Sequence, residues 1–238
     1  MLWIAATLAA YYVKGLCGFA NTLVFTTMLS YGVSNAGISP VELLLSYPAN
    51  LAMTWKNRKF LLPRVYIPLS LLVLAGSVPG ALLLKNVDAG MVKIIFGAAV
   101  VFIGLEMLLD EYRKGAKRRL PPVLLGVIGI AAGLLCGLFG VGALLAAYVS
   151  RTTDTNDAFK ANINIVFSVE GTFRMAMYLA LGLFDLAALR QAALLLPFAA
   201  LGLLLGVKSA RRLNERLVKR LVIVLLILSG ASLILKSL

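Results

Sequence analysis

Residues 133–149 read G-L-L-C-G-L-F-G-V-G-A-L-L-A-A-Y-V, inside a run from Pro121 to Val149 that carries no charge. About 20 apolar residues cross a bilayer core of roughly 30 Å, so the run is long enough to be a membrane segment. Yet Gly133, Gly137, Gly140 and Gly142 fall close together, and each glycine costs a helix interior about 1 kcal/mol against alanine. A broken segment is therefore expected. Inside a bilayer a break is tolerated only where protein or a water-filled cavity covers the freed backbone groups. A small-residue face for close helix packing is the alternative reading.

A second copy lies near the N-terminus. Gly15-Leu16-Cys17-Gly18-Phe19-Ala20-Asn21 sits in another apolar run, Met1 to Val41, interrupted only by Lys14. Each copy holds one of the chain's 2 cysteines, followed directly by glycine. Downstream, Gly76-x-x-x-Gly80 matches Gly202-x-x-x-Gly206, Val92-Lys93 matches Val218-Lys219, and Gly104 matches Gly230, all at one gapless offset. Order and spacing together predict an internal duplication: a membrane repeat over 1–112, a basic linker over 113–122, and a second repeat over 123–238.

Composition sets the class. The chain is 61% hydrophobic with mean hydropathy +0.95, which implies an all-α polytopic membrane protein. The net charge of +13 does not point to nucleic acid, because the basic residues sit in loops between apolar runs, where they orient the chain in the membrane. There is no histidine and no cysteine cluster at metal spacing, so neither a metal site nor a cofactor is expected. No cleavable signal peptide is expected either, for want of a basic n-region.

In chain order, Ser39-Pro40-Val41-Glu42 reads as a capping box with proline at the first helical position. It would open a helix to about Trp55, kinked by Pro48. Apolar helices are expected over about 65–84 and 90–109, then over 158–181, 186–207 and up to about Leu235. Asp154 and Asp157 look like helix-start chemistry. In the first half the basic loop (Lys56, Arg58, Lys59, Arg64) precedes the third helical segment, whereas in the second half Lys208, Arg211, Arg212 and Arg216 follow it. If basic loops stay cytoplasmic, the halves are inverted-topology repeats of about four helical segments each. Parity then requires the broken first segment to be a re-entrant hairpin or two short crossings.

Several stretches carry a resemblance: the duplicated elements Gly15–Asn21 and Gly133–Gly142, Pro48-x-Asn50 ending in Trp55-Lys56-Asn57-Arg58, and Ala158-Phe159-Lys160-x-Asn162 leading to Glu170 and Arg174. Through them the chain resembles, over essentially its whole length, the sulfite exporter TauE/SafE family of bacterial anion permeases. The first copy departs from the family's glycine-rich pattern, with Asn21, Thr22 and Leu23 where glycines are usual. The resemblance implies secondary transport of sulfite, sulfonates or related small anions across the bacterial inner membrane, not enzymatic chemistry.

Broken helices suit an anion, because a helix N-terminus in the interior offers free N–H groups and a positive dipole end. Inverted-repeat transporters place substrate at such breaks. The expected donors are the amides around Gly18 to Asn21 and around Gly137, Gly140 and Gly142, with side chains of Asn21, Thr22 and Asn50; Asn162 is a further candidate. Glu170 and Arg174 lie four apart at apparent membrane depth, where a lone charge costs about 3 kcal/mol or more. They read either as a mutual ion pair or as an anion-binding arginine beside a proton-coupling carboxylate. The partners implied are a small anion, the lipid bilayer and a coupled proton, with a homo-oligomer left open. Two rivals stand: an intramembrane thiol–disulfide relay through Cys17 and Cys136, and a non-transporting assembly factor.

Overall fold

The structure, a computed structural model, describes residues 1–29, 35–83, 94, 97–98, 101–102, 105, 108–109, 121–139, 142–180, 182 and 184–235. Apolar runs punctuated by glycine and proline become helices, and no strand occurs among the described residues. The helices are α1 (Leu2–Cys17), α2 (Asn21–Leu29), α3 (Asn35–Lys56), α4 (Pro63–Leu83), α5 (Pro122–Phe139), α6 (Ala143–Thr152), α7 (Asn156–Ala180), α8 (Leu186–Ala210) and α9 (Glu215–Leu235), with a 3-10 turn at Arg58–Phe60. Lys85, Asp88, Glu106, Gly140, linker residues 113–120 and most of the expected helix 90–109 lie outside the described residues.

One expected start is corrected. The α3 helix begins at Asn35 and runs unbroken through Pro40 and Pro48, so Ser39 to Glu42 is helix interior and not a capping box. Membrane helices tolerate proline because neighbouring helices, Ser/Thr hydroxyls and local adjustments re-satisfy the freed backbone groups. Ile38, Val41, Leu45 and Ala49 hold this stretch in a core shared with Phe25 and Leu29 of α2 and Ala6, Ala10 and Tyr11 of α1. At the start of α7 it is Thr155 whose hydroxyl accepts the Ala158 N–H, at 3.2 Å.

Both glycine-rich runs are interrupted. Gly18 ends α1 at φ +90°, and Ala20 also has positive φ, 70°. Glycine reaches this left-handed region without a Cβ clash. The chain then doubles back. Lys14 near the end of α1 bonds Asn21 at the start of α2, while Trp3 at the other end packs edge-on against Phe25, ring centroids 5.8 Å apart. The α1 and α2 helices therefore form an antiparallel hairpin. In the second half α5 ends at Phe139 and α6 begins at Ala143, with Gly142 at its N-cap.

The hairpins are clamped by glycine seams to helices of the opposite half. Gly202 meets Leu8 and Tyr12, Gly206 meets Tyr12, and Gly15 meets Leu203 and Val207. Residue numbers rise together, so α1 and α8 run parallel. A Cβ on Gly206 would overlap the Tyr12 carbonyl oxygen. The same arrangement joins α4 to α5: Gly129 meets Leu72, Gly133 meets Val73, and Gly76 meets Ile130 and Leu134. Here too the Ser77 hydroxyl bonds the Gly133 carbonyl at 3.0 Å. By contrast α3 and α7 run antiparallel, since Tyr47 pairs with Thr172, Glu42 with Arg174 and Leu62 with Asn162.

The α3–α4 turn and the α8–α9 turn lie toward the same end of the molecule, Lys56 within electrostatic reach of Arg211. Among the described residues α8 is the one helix both long and apolar enough to cross a membrane by itself, while Leu2–Cys17, Pro63–Pro79 and Val123–Leu134 are shorter apolar stretches. The outer face of α8 exposes Leu194, Leu201, Leu204 and Leu205, as a lipid-facing helix must.

Candidate functional site

Between the α1–α2 hairpin, α3 and α7 lies a polar network sealed in apolar surroundings. Lys14 projects from the last turn of α1 and is 1% exposed. Its ammonium donates to the Asn50 Oδ1 on α3 at 2.6 Å and to the Asn21 Oδ1 on α2 at 3.0 Å. The Phe167 ring of α7 covers its remaining side, centroid 5.6 Å away, within cation–π range. Among the described residues no carboxylate forms an ion pair with this ammonium. A charge at such depth is expensive, and the described carboxylate that acts on it, Glu42, reaches it through the shared Asn21 side chain.

One layer away sits Glu42, 2% exposed. Its Oε1 accepts from the Asn21 amide at 2.8 Å and from the Thr22 hydroxyl at 2.7 Å. Its Oε2 lies 3.8 Å from the Arg174 guanidinium. Arg174 also stands 3.5 Å, Nε to Oε1, from Glu170 one turn earlier on α7. Both separations bring charges together without a hydrogen bond at Arg174 Nε or Glu170 Oε1. Buried polar atoms ordinarily find partners, so these two are poised for a further one. The Tyr11 hydroxyl lies near Asn21 and Glu42 without a well-formed hydrogen bond to a described residue.

The residues expected from sequence divide. Asn21, Thr22, Asn50, Glu170 and Arg174 converge on this network. Asn21 and Thr22 spend their donors on Glu42, and Asn50 presents its oxygen to Lys14, so they position charged groups before they could greet an anion. The Gly18 amide is not free: it donates to the Lys14 carbonyl at 2.7 Å, closing α1. Its carbonyl accepts from Asn164 at 2.9 Å, which ties the first break to α7. Asn162 is a brace and not part of the network. Its amide donates to Phe60 O and Ala158 O, and its oxygen accepts from Leu62 N, pinning the α3–α4 turn to α7. Gly137 lies in the last turn of α5. Gly142 lies against Phe167, where any Cβ would overlap the ring, so it admits the aromatic that caps Lys14.

Lys14, Glu42 and Tyr11 were not among the expected site residues. Lys14 had a signal, being the sole charge in the first 41 residues. Glu42 had a weaker one, because its S-P-V-E context imitates a cap.

The sulfite exporter TauE/SafE family model matches residues 3–233. The chain belongs to that family. It is thereby a membrane transporter of the sulfite-exporter type, and membership lends no support to a thiol relay. No curated protein and no solved structure matches the chain. Cys17 and Cys136, both buried and in no disulfide, belong to the same apolar core as Leu16, Phe19 and Leu145, a setting that keeps thiols inert.

Proposed function

We propose that this TauE/SafE protein is a secondary-active permease for small sulfur-containing anions of the sulfite or sulfonate type. The anion is held between the Lys14 ammonium and the Arg174 guanidinium, with Tyr11 as a further donor. The observation that carries this reading is the buried Lys14, whose described partners are two neutral amide oxygens and an aromatic face. An oxyanion gives this ammonium a charged acceptor in place of neutral ones, and a charge-assisted hydrogen bond is roughly twice as strong as a neutral one. Arginine's planar fork suits a second pair of oxygens.

The two halves act as inverted repeats in alternating access. Supporting this are the antiparallel course of α3 against α7, the reciprocal parallel seams α1–α8 and α4–α5, and the meeting of basic turns at one end, which the positive-inside rule assigns to the cytoplasm of an inner membrane. Glu170 is the coupling group. When an anion draws Arg174 away, protonating Glu170 keeps the buried charge balanced.

The test is flux in proteoliposomes across sulfite, sulfonates, thiosulfate and small carboxylates, with and without a pH gradient. Parent protein moves a sulfur anion and Lys14→Gln does not. Equal flux in both removes Lys14 from the site, and no flux of any anion removes the function.

A further inference from the structure

A second cationic site lies at the end of the molecule where the basic turns meet. Four segments build it. The first is the C-terminus of α3 with its following turn, which carries Lys56, Arg58 and Lys59. The others are the first turns of α7 with Asp157 and Lys160, the end of α8 with Lys208 and Arg211, and the closing turn of α1. Hydrogen bonds join three of them, Asn162 to Phe60 and Leu62 and the Lys160 ammonium to the Gly15 carbonyl at 3.4 Å, and the end of α8 is held by the packing of Gly15 on Leu203 and Val207. Lys160 also packs its aliphatic stem against Gly18. Within this frame Lys56 is within electrostatic reach of Arg211 and Asp157, and Lys160 of Lys56 and Asp157.

Two lysines thus share one carboxylate with Arg211 as a third cation beside Lys56, and Lys56 and Arg211 come from different halves of the chain. Like charges brought together repel, so this arrangement asks for an anionic group between them. Exposed apolar rings decide which kind. Trp55 is 71% exposed and lies under the Arg58 guanidinium, which sits 4.6 Å from the ring centroid. Phe60 is 45% exposed on the same turn. A soluble ion has no use for an open indole beside a stacked arginine, whereas such rings sit at headgroup level in a bilayer, and basic pockets between membrane helices take anionic headgroups.

We infer that the surface between the ends of α3 and α8 and the start of α7 binds the phosphodiester headgroup of an anionic phospholipid, bridging Lys56 and Arg211 across the two halves. The site is separate from the Lys14 network and does not depend on which anion the permease carries.

Full-length protein purified in detergent is offered phosphatidylglycerol, phosphatidylcholine or inorganic phosphate, and retained lipid and melting temperature are measured. Phosphatidylglycerol is expected to be retained and to raise the melting temperature, with neither phosphatidylcholine nor phosphate doing so. Lys56→Gln with Arg211→Gln should weaken retention about 30-fold, the loss expected for two headgroup-facing charges. Lys56→Arg with Arg211→Lys should retain it, and Lys14→Gln should leave it untouched. Parent-like retention in the double glutamine variant overturns the proposal, as does an equal response to inorganic phosphate. Because Lys14→Gln reports on transport and not on lipid, the two sites fail independently.

Discussion

Glu42 on α3 and Arg174 on α7 face each other across the boundary between the two halves, 3.8 Å apart, and Glu42 is also the acceptor for Asn21 and Thr22. One carboxylate therefore holds the hairpin, α3 and α7 in register. Removing it leaves a buried guanidinium short of a partner, which is far worse than losing a surface pair. Glu42→Ala should destabilise the protein by about 3–5 kcal/mol, read as a lowered melting temperature in detergent. Unchanged melting would mean the network has no structural weight.

Lys14→Met is expected to separate stability from transport. Deleting a buried charge relieves a desolvation cost that offsets the acceptors left unpaired on Asn21 and Asn50, so melting should change little. Anion flux should fall at least about tenfold, in keeping with a lost charged hydrogen bond. A destabilised variant with normal flux per folded molecule would reverse both assignments.

Glu170→Gln keeps the size of the side chain and removes its charge and proton exchange. Flux should persist but lose its response to an imposed pH gradient. A gradient response equal to the parent's would assign coupling elsewhere.

The glycine seams make sharp demands. A Cβ at Gly206 meets the Tyr12 backbone and one at Gly133 meets the Val73 backbone, while Gly126 has open space. Alanine at either seam must push two helices apart, an overpacking cost of about 1–3 kcal/mol or more; Gly126→Ala should be neutral or better. Melting curves of the three variants decide the matter.

Cys17→Ala with Cys136→Ala should transport like the parent. Loss of flux without loss of folding would revive thiol chemistry at these positions.

The broken helices could be read in advance because glycine and cysteine recur at matching places in two uncharged runs. What misled was local resemblance: Ser39-Pro40-Val41-Glu42 satisfies a capping pattern, but packing by Ile38, Val41 and Leu45 extends α3 upstream and turns Glu42 inward. The site was half legible. Glu170 and Arg174 announced themselves as charges at membrane depth, whereas Lys14 looked incidental until α3 supplied Asn50, 36 positions away, as its partner. Asn162 misled in the other direction, since its backbone partners Phe60 and Leu62 lie far off in sequence.

The exchange of seams, α1 onto α8 and α5 onto α4, bears on how the protein is made. A ribosome that has finished α1 must synthesise as far as residue 186 before the complementary groove exists, so the insertion machinery or lipid has to shelter the early hairpin throughout. A polypeptide cut at the linker would leave each fragment with an open glycine groove that only the other fragment fills. Coexpressed fragments should therefore find each other.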